Sequence, residues 1–317
     1  MSLHRLFNLV AIVGICFAVH ASQMDPRFVD ADSDLVADAP TDPRQWINPA
    51  TLIFSYTPVE DPAVYSNVWK EFIEHMTKVT GKRVVFFPVQ SNAAQYEAMR
   101  AGRLHVMGCN TGGTPIAVNI CGFVPFAMMA NKNDGSYGYE MEIIVPANSP
   151  IRNLKDLKGR QLAFTSPTSN SGCKAPQVLI ESEAGLKPEI DYKPVFSGKH
   201  DNSIIGVANG DYEAAAIANS VLTRMLARNV IKAEQIRSIY KSQSFPTTAY
   251  GYVHNLHPEL AAKVREAFFS FKWEGTALKK EFAAQDQTSF IPITYKQHWA
   301  VVRQIDEALG IKYTSGN

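Results

Sequence analysis

The sequence predicts an α/β protein of two lobes, each a sheet flanked by helices, joined by a two-strand hinge. Three observations carry this. Apolar runs of strand length alternate with helical repeats along most of the chain. At 317 residues the chain is longer than one core usually carries. A middle block, residues 141–246, is bracketed by two extended segments, 139–145 and 245–253, that read as two crossings between lobes.

The first 21 residues read as a cleavable secretory signal. His4 and Arg5 give a weakly basic start, 6–19 is mostly apolar, and Ala18-Val19-His20-Ala21 fits small-x-small cleavage. The apolar run is too short to span a bilayer as a helix. Ile15 before Cys16 is too bulky for a lipid-attachment signal, so a soluble exported protein is expected. Residues 22–49 are rich in Asp and Pro with little apolar periodicity, and read as a flexible leader without a fold of its own.

Regular structure starts with a strand at 51–55. Val68, Phe72, Met76 and Val79 fall on one face of a helix over 64–80 that Gly81 stops. Next come strand 83–87, helix 93–100, strand 104–108 and a polar Gly-rich turn at 110–114. A short helix at 115–119 and strands 123–130 and 139–145 follow. The middle block reads as helix 154–157, strand 162–164, helix 175–184, strand 193–196, helix 203–209, strand 214–218 and helix 221–227. Strands 236–240 and 250–253 lead into closing helices at 258–271, 276–282 and 295–308.

Such alternation implies parallel sheets covered on both faces. The predicted lobes are 50–140 plus 247–317, discontinuous, and 141–246. In open α/β sheets ligands bind at the strand carboxyl ends, here in the cleft between lobes.

Composition narrows the function. Hydrophobic residues make up 46%, and 31 Lys+Arg against 30 Asp+Glu leave a formal charge of +1. That gives no basic footprint for nucleic acid or an anionic membrane. Cys109, Cys121 and Cys173 remain after signal removal. They read as buried free thiols, although a Cys109–Cys121 disulfide stays open. No Cys/His cluster has metal-ligand spacing, so neither metal nor other cofactor is expected.

The chemistry-bearing segment is Phe164-Thr165-Ser166-Pro167-Thr168-Ser169-Asn170-Ser171-Gly172. A strand that ends in hydroxyls and amides where a helix begins aims backbone N–H groups and the helix dipole at one point, which suits an oxyanion. An ordinary helix cap would look the same. A second such turn, Phe196-Ser197-Gly198-Lys199-His200-Asp201-Asn202-Ser203, adds an imidazole that donates one or two N–H bonds and whose charge can follow the ligand. The first lobe offers similar strand ends at Ser55-Tyr56-Thr57, Gln90-Ser91-Asn92 and Cys109-Asn110-Thr111-Gly112-Gly113-Thr114. Tyr56 reads equally as a core tyrosine. No G-x-S-x-G elbow or H-E-x-x-H helix is present, which argues against an enzyme.

At this point the chain resembles the periplasmic substrate-binding proteins of phosphonate, phosphite and phosphate ABC importers. The resemblance spans about 52–313. It rests on Glu60-Asp61-Pro62, Tyr96-Glu97-Ala98-Met99-Arg100-Ala101-Gly102 and Leu154-Lys155-Asp156-Leu157-Lys158-Gly159. Its most specific marks are Pro167-Thr168-Ser169-Asn170-Ser171-Gly172 and Ser197-Gly198-Lys199-His200-Asp201-Asn202-Ser203-Ile204, followed by Val207-Ala208-Asn209-Gly210-Asp211.

The resemblance implies a type II periplasmic-binding-protein fold and a monomeric receptor that hands a small phosphorus oxyanion to a membrane permease. It places Ser169, Asn170, Ser171 and His200 on the oxyanion. Thr168, Tyr56, Asn92, Asn110, Thr111 and Asn219 complete the expected site. Four positions depart from the family pattern: Asn170 stands for a Thr, Asn92 falls near a usual tyrosine, Cys109-Asn110-Thr111 stands at a strand end where many members have an aromatic, and Asn219 replaces an acidic residue. The last argues against an aminophosphonate. The alternatives are an exported enzyme acting on a phosphorus ester, and a sensory receptor docking on a membrane kinase.

Overall fold

The computed structural model describes residues 24–313; the expected signal sequence, 1–21, lies outside them. The strands are β1 (Thr51–Tyr56), β2 (Arg83–Phe86), β3 (Val106–Cys109), β4 (Phe123–Ala130), β5 (Tyr139–Pro146) and β6 (Gln161–Phe164). They continue with β7 (Lys193–Phe196), β8 (Ala215–Ala218), β9 (Ile236–Phe245), β10 (Ala249–Val253) and β11 (Ser289–Pro292). The helices begin with α1 (Pro62–Val68), α2 (Lys70–Thr80), α3 (Asn92–Arg100), α4 (Thr114–Cys121), α5 (Ala175–Ala184) and α6 (His200–Asn209). After them come α7 (Asn219–Ala227), α8 (Pro258–Ser270), α9 (Ala277–Phe282), α10 (Tyr295–His298) and α11 (Ala300–Ala308).

Two sheets result, ordered β11-β4-β10-β3-β1-β2 and β7-β6-β8-β5-β9. Neither is purely parallel, which corrects the expectation from alternation. β1 pairs in parallel with β2 and β3, but β10 runs antiparallel between β3 and β4, and β11 antiparallel to β4. In the second sheet β5 is antiparallel to both β8 and β9. The cause is the crossing chain: β5 follows β4 and β10 follows β9 with no helix between them, and each then runs against its neighbours, because parallel strands need a crossover connection such as α7 between β8 and β9. Strand β5 lies wholly inside the second sheet, so the chain passes between sheets at 131–138 and 246–248 rather than within 139–145.

Side chains of β5 alternate as a strand buried on both faces must. Met141, Ile143 and Val145 join one cluster with Leu162, Phe164 and Ile180; Ile144 joins another with Ile204, Val207 and Ile217. The first sheet packs on an aromatic layer in which Phe54, Trp69, Phe72, Tyr250, Phe268 and Phe290 are buried. Two helices read as continuous are broken, at Trp69 and at Trp299, where both indoles are completely buried. Helix α11 spans the two cores, with Val302 in the first and Ile305 in the second.

Residues 24–49 are not the independent flexible leader the composition implied. Asp25 N–H donates to Asn119 O and Ile47 N–H to Asn255 O, while Val36 and Ala37 are buried. The many aspartates fold the segment on itself: Asp30 accepts from the amides of Asp34 and Leu35, and Asp38 from that of Ala31. Among the described residues, no helix is long and apolar enough to cross a membrane.

Candidate functional site

The carboxyl ends of β1, β3, β6 and β8 meet at a cavity of about 50 Å³ between the sheets. That volume holds roughly three to five waters, so its occupant has few heavy atoms. Beyond β6 the chain does not enter α5 directly. It first makes a wide π-turn, Asn170–Lys174, with Ser169 at its head. The first amides of such a turn have no acceptor within it.

Ser169 Oγ accepts the N–H of Gly172 at 3.0 Å. Gly172 has no alternative here, because a Cβ on it would lie 2.0 Å from Thr165 Oγ1. The cap reading and the site reading therefore fall on the same serine. Facing it is His200, which opens α6 and is 4% exposed. Its Nδ1 accepts the backbone N–H of Ala218 at 3.1 Å, which places the ring proton on Nε2. Nε2 lies 3.2 Å from Ser169 Oγ and donates to it. Both lone pairs of that hydroxyl are then taken, by Gly172 and His200, and its own hydrogen is left to donate at the cavity wall.

Burial pushes the His200 imidazole down to about 4, with Glu60 opposing and Arg224 adding to the shift. The ring is a neutral single donor near pH 7. The sequence left open a ring whose charge follows the ligand, and the Ala218 amide removes that option.

The structure brings Tyr56, Asn110, Thr111, Ser169, Asn170, Ser171 and His200 to the cavity wall. Their roles differ. Tyr56 is an aromatic wall stacked on Tyr250, with ring centroids 6.4 Å apart. Asn170 Nδ2 donates to Tyr139 Oη at 3.3 Å. The Thr111 hydroxyl donates to Pro246 O at 2.8 Å, tying the wall to the second crossing.

Three expected residues do not line the cavity. Asn92 Nδ2 donates to Thr168 Oγ1 at 2.9 Å, a bond from one lobe to the other. Asn219 turns away: its Oδ1 accepts the Glu140 N–H at 3.0 Å and its Nδ2 donates to Glu140 Oε2. Sequence reading missed Tyr139, Ser220, Thr247, Thr248, Gln287 and Arg224, all at the wall. Arg224 carried the one available signal. It sits with Val221 and Met225 on the buried stripe of α7, where a cation needs a partner.

The lobes are closed on each other. His200 N–H donates to Val59 O, Asp61 N–H to Asp201 Oδ2, and Asn110 Nδ2 to the carbonyl of Thr168. Lys174, itself buried, donates to Gly112 O at 2.8 Å and to Asp306 Oδ1 at 2.7 Å. Gly112 permits this approach: a Cβ there would sit 2.5 Å from both Asn170 N and Thr168 O. A larger cavity of about 550 Å³ lies under the N-terminal segment. Its two arginines already face carboxylates, Arg27 with Asp25 and Arg100 with Glu97.

Cys109, Cys121 and Cys173 are free and buried, so the possible disulfide is not formed. Burial pushes the Cys109 thiol up to about 12 and that of Cys173 up to about 11.

Two mixed sheets, crossed twice by the chain and closed over a small polar cavity at their strand ends, define a type II periplasmic binding protein. The chain belongs to the family of periplasmic substrate-binding proteins of the phosphonate ABC transporter, whose model matches residues 54–299. It is 26% identical over 273 residues to the phosphate-import protein PhnD of Mycolicibacterium smegmatis, covering 81% of this chain and 82% of that one. A solved binding-protein component of an ABC phosphonate transporter from Pseudomonas aeruginosa superposes with a TM-score of 0.72 at 22% identity, covering 81% and 85% of the two chains. PhnD1 of Prochlorococcus marinus, solved in complex with methylphosphonate, superposes with a TM-score of 0.70 at 19% identity, covering 83% of this chain and 99% of that one.

Proposed function

We propose that this chain is a periplasmic receptor that captures a small phosphorus oxyanion (phosphonate, phosphite or phosphate) between its lobes and delivers it, chemically unchanged, to the permease of an ABC importer. It acts as a monomer and has no nucleic-acid partner. The observation that carries this reading is the Ser169 hydroxyl, whose lone pairs are both taken and whose hydrogen is left for a cavity of about 50 Å³. Ser171, Ser220, Thr247 and Thr248 bring further hydroxyls to the same wall, and Tyr56 its ring. Hydrogen bonds to a charged acceptor contribute about 1.5–3 kcal/mol each, so a few neutral donors hold an anion without a free cation.

Calorimetry and thermal shift with phosphite, methylphosphonate, phosphate and sulfate test this. At least one phosphorus oxyanion should bind with a Kd below about 10 μM, and Ser169→Ala should weaken it by about 1–3 kcal/mol. No carboxylate lines the cavity among the described residues, so 2-aminoethylphosphonate, whose ammonium would go unpaired, should bind more weakly than methylphosphonate. Absence of binding by all the phosphorus oxyanions, or release of product from a phosphonate ester, would overturn the proposal.

A further inference from the structure

Arg224 stands at the cavity wall, yet most of its donors face the other lobe. Its Nε and Nη2 donate to Glu60 Oε2 at 3.0 and 2.8 Å, and Nη1 donates to Gln285 Oε1 at 2.8 Å. Nη2 also approaches Tyr65 Oη at 3.5 Å, and the guanidinium carbon lies 5.3 Å from the Phe282 ring centroid. Glu60 is 1% exposed and also accepts from Tyr65 Oη at 2.6 Å and from Arg228 Nη2. Arg224 and Arg228 belong to the second lobe; Glu60, Tyr65, Phe282 and Gln285 belong to the first. The network is therefore complete only when the cleft is shut.

Its charges do not match equally well. Glu60 is held tightly by both arginines. The second carboxylate, Glu281, comes no nearer than 3.5 Å to Arg224 Nε and 3.4 Å to Arg228 Nη1, and its buried Oε1 accepts no hydrogen bond. Closing the lobes thus takes the Arg224 guanidinium out of water and leaves that of Arg228 part-buried, against one well-placed carboxylate and one poorly placed one. A buried charge without a good partner opposes closure. An anion in the adjoining cavity adds to Arg224 the negative charge that Glu281 offers only from 3.5 Å, and does so only in the closed form.

We propose that Arg224 is a positioning residue that makes lobe closure depend on the charge of the ligand: an anion beside it completes the Glu60–Arg224–Arg228–Glu281 network, and an uncharged ligand does not. This rests on the reading of the cleft as an oxyanion site. It adds to the Ser169 donor, which His200 orients, a second layer of selection that acts on closure rather than on contact.

The test follows methylphosphonate binding by calorimetry and stopped flow, and compaction by small-angle X-ray scattering, in wild type, Arg224→Met and Arg224→Met/Glu60→Gln. The double variant removes the carboxylate that the single variant leaves poorly neutralised, so it folds even where the single one does not. In both, affinity should fall roughly 30-fold or more, mainly through faster release, and methylphosphonate should no longer compact the protein. The unfolding midpoint of the unliganded double variant should stay near that of wild type, which a merely structural role would not allow. Wild-type compaction, or affinity within about threefold of wild type in the double variant, overturns the assignment. Failure of wild type to bind methylphosphonate, phosphite or phosphate would instead overturn the oxyanion reading, and this proposal with it.

Discussion

Replacing His200 by Asn isolates the consequence of its fixed tautomer. The Asn side chain can still offer an oxygen near the place of Nδ1 to the Ala218 amide, now 3.1 Å from that nitrogen, but it cannot titrate. In wild type, burial holds the ring at about 4, against about 6.5 in an unfolded chain. Between these values the unfolded state binds a proton that the folded state refuses, so stability falls as pH drops through that window and is level above it.

Linkage makes the wild-type loss from this group about 2 kcal/mol between pH 7 and pH 5. His254, pushed down to about 4 by burial and by Arg27, loses stability over the same window, but it does so in both proteins and cancels. Urea unfolding at the two pH values measures the difference. Wild type should lose about 2 kcal/mol more than His200→Asn. Equal losses would refute a buried, neutral His200 and with it the argument that the Ser169 hydrogen is left for the cavity.

Gly112→Ala would place a methyl group 2.5 Å from backbone atoms of the facing lobe. Overpacking of this kind costs about 1–3 kcal/mol, so calorimetry should show methylphosphonate affinity reduced about 5- to 150-fold; wild-type affinity would mean that the ligand is held by a wider cleft. Asn219→Ala removes the bond to the Glu140 amide but nothing from the cavity wall. It should lower stability by about 1 kcal/mol in urea and leave methylphosphonate affinity within about twofold; a large affinity loss would return Asn219 to the site.

What the sequence revealed, and what it hid, divides by distance along the chain. The Ser169–Gly172 turn and the His200 turn were readable because a strand end, small hydroxyl residues and a helix start are all local. β11 was hidden because four residues ending in Pro292 show no strand pattern. An edge strand tolerates them, since one side makes no sheet bonds. The polar half of β9, to Phe245, was hidden for the same reason: it lies at the sheet edge, where polar residues are at home. Asn219 was misplaced because a helix-start residue after a buried strand looks like a ligand donor, and only the pairing of β5 with β8 puts Glu140 within its reach.

The latch between lobes was least accessible of all, and for a physical reason. Glu60 and Arg224 are 164 positions apart, and each has a sufficient local explanation: Glu60 in a polar turn before α1, Arg224 in an amphipathic helix. A buried cation is recognisable only when its face is known to be buried, and that face is buried by the other lobe. Contacts that hold an anion are written into strand–turn–helix segments, whereas contacts that decide whether the cleft stays shut depend on how two separately folded sheets meet. Variation at Glu60, Arg224 or Glu281 can therefore change how firmly a ligand is retained while the donor turns remain intact, so the donor turns alone do not predict affinity.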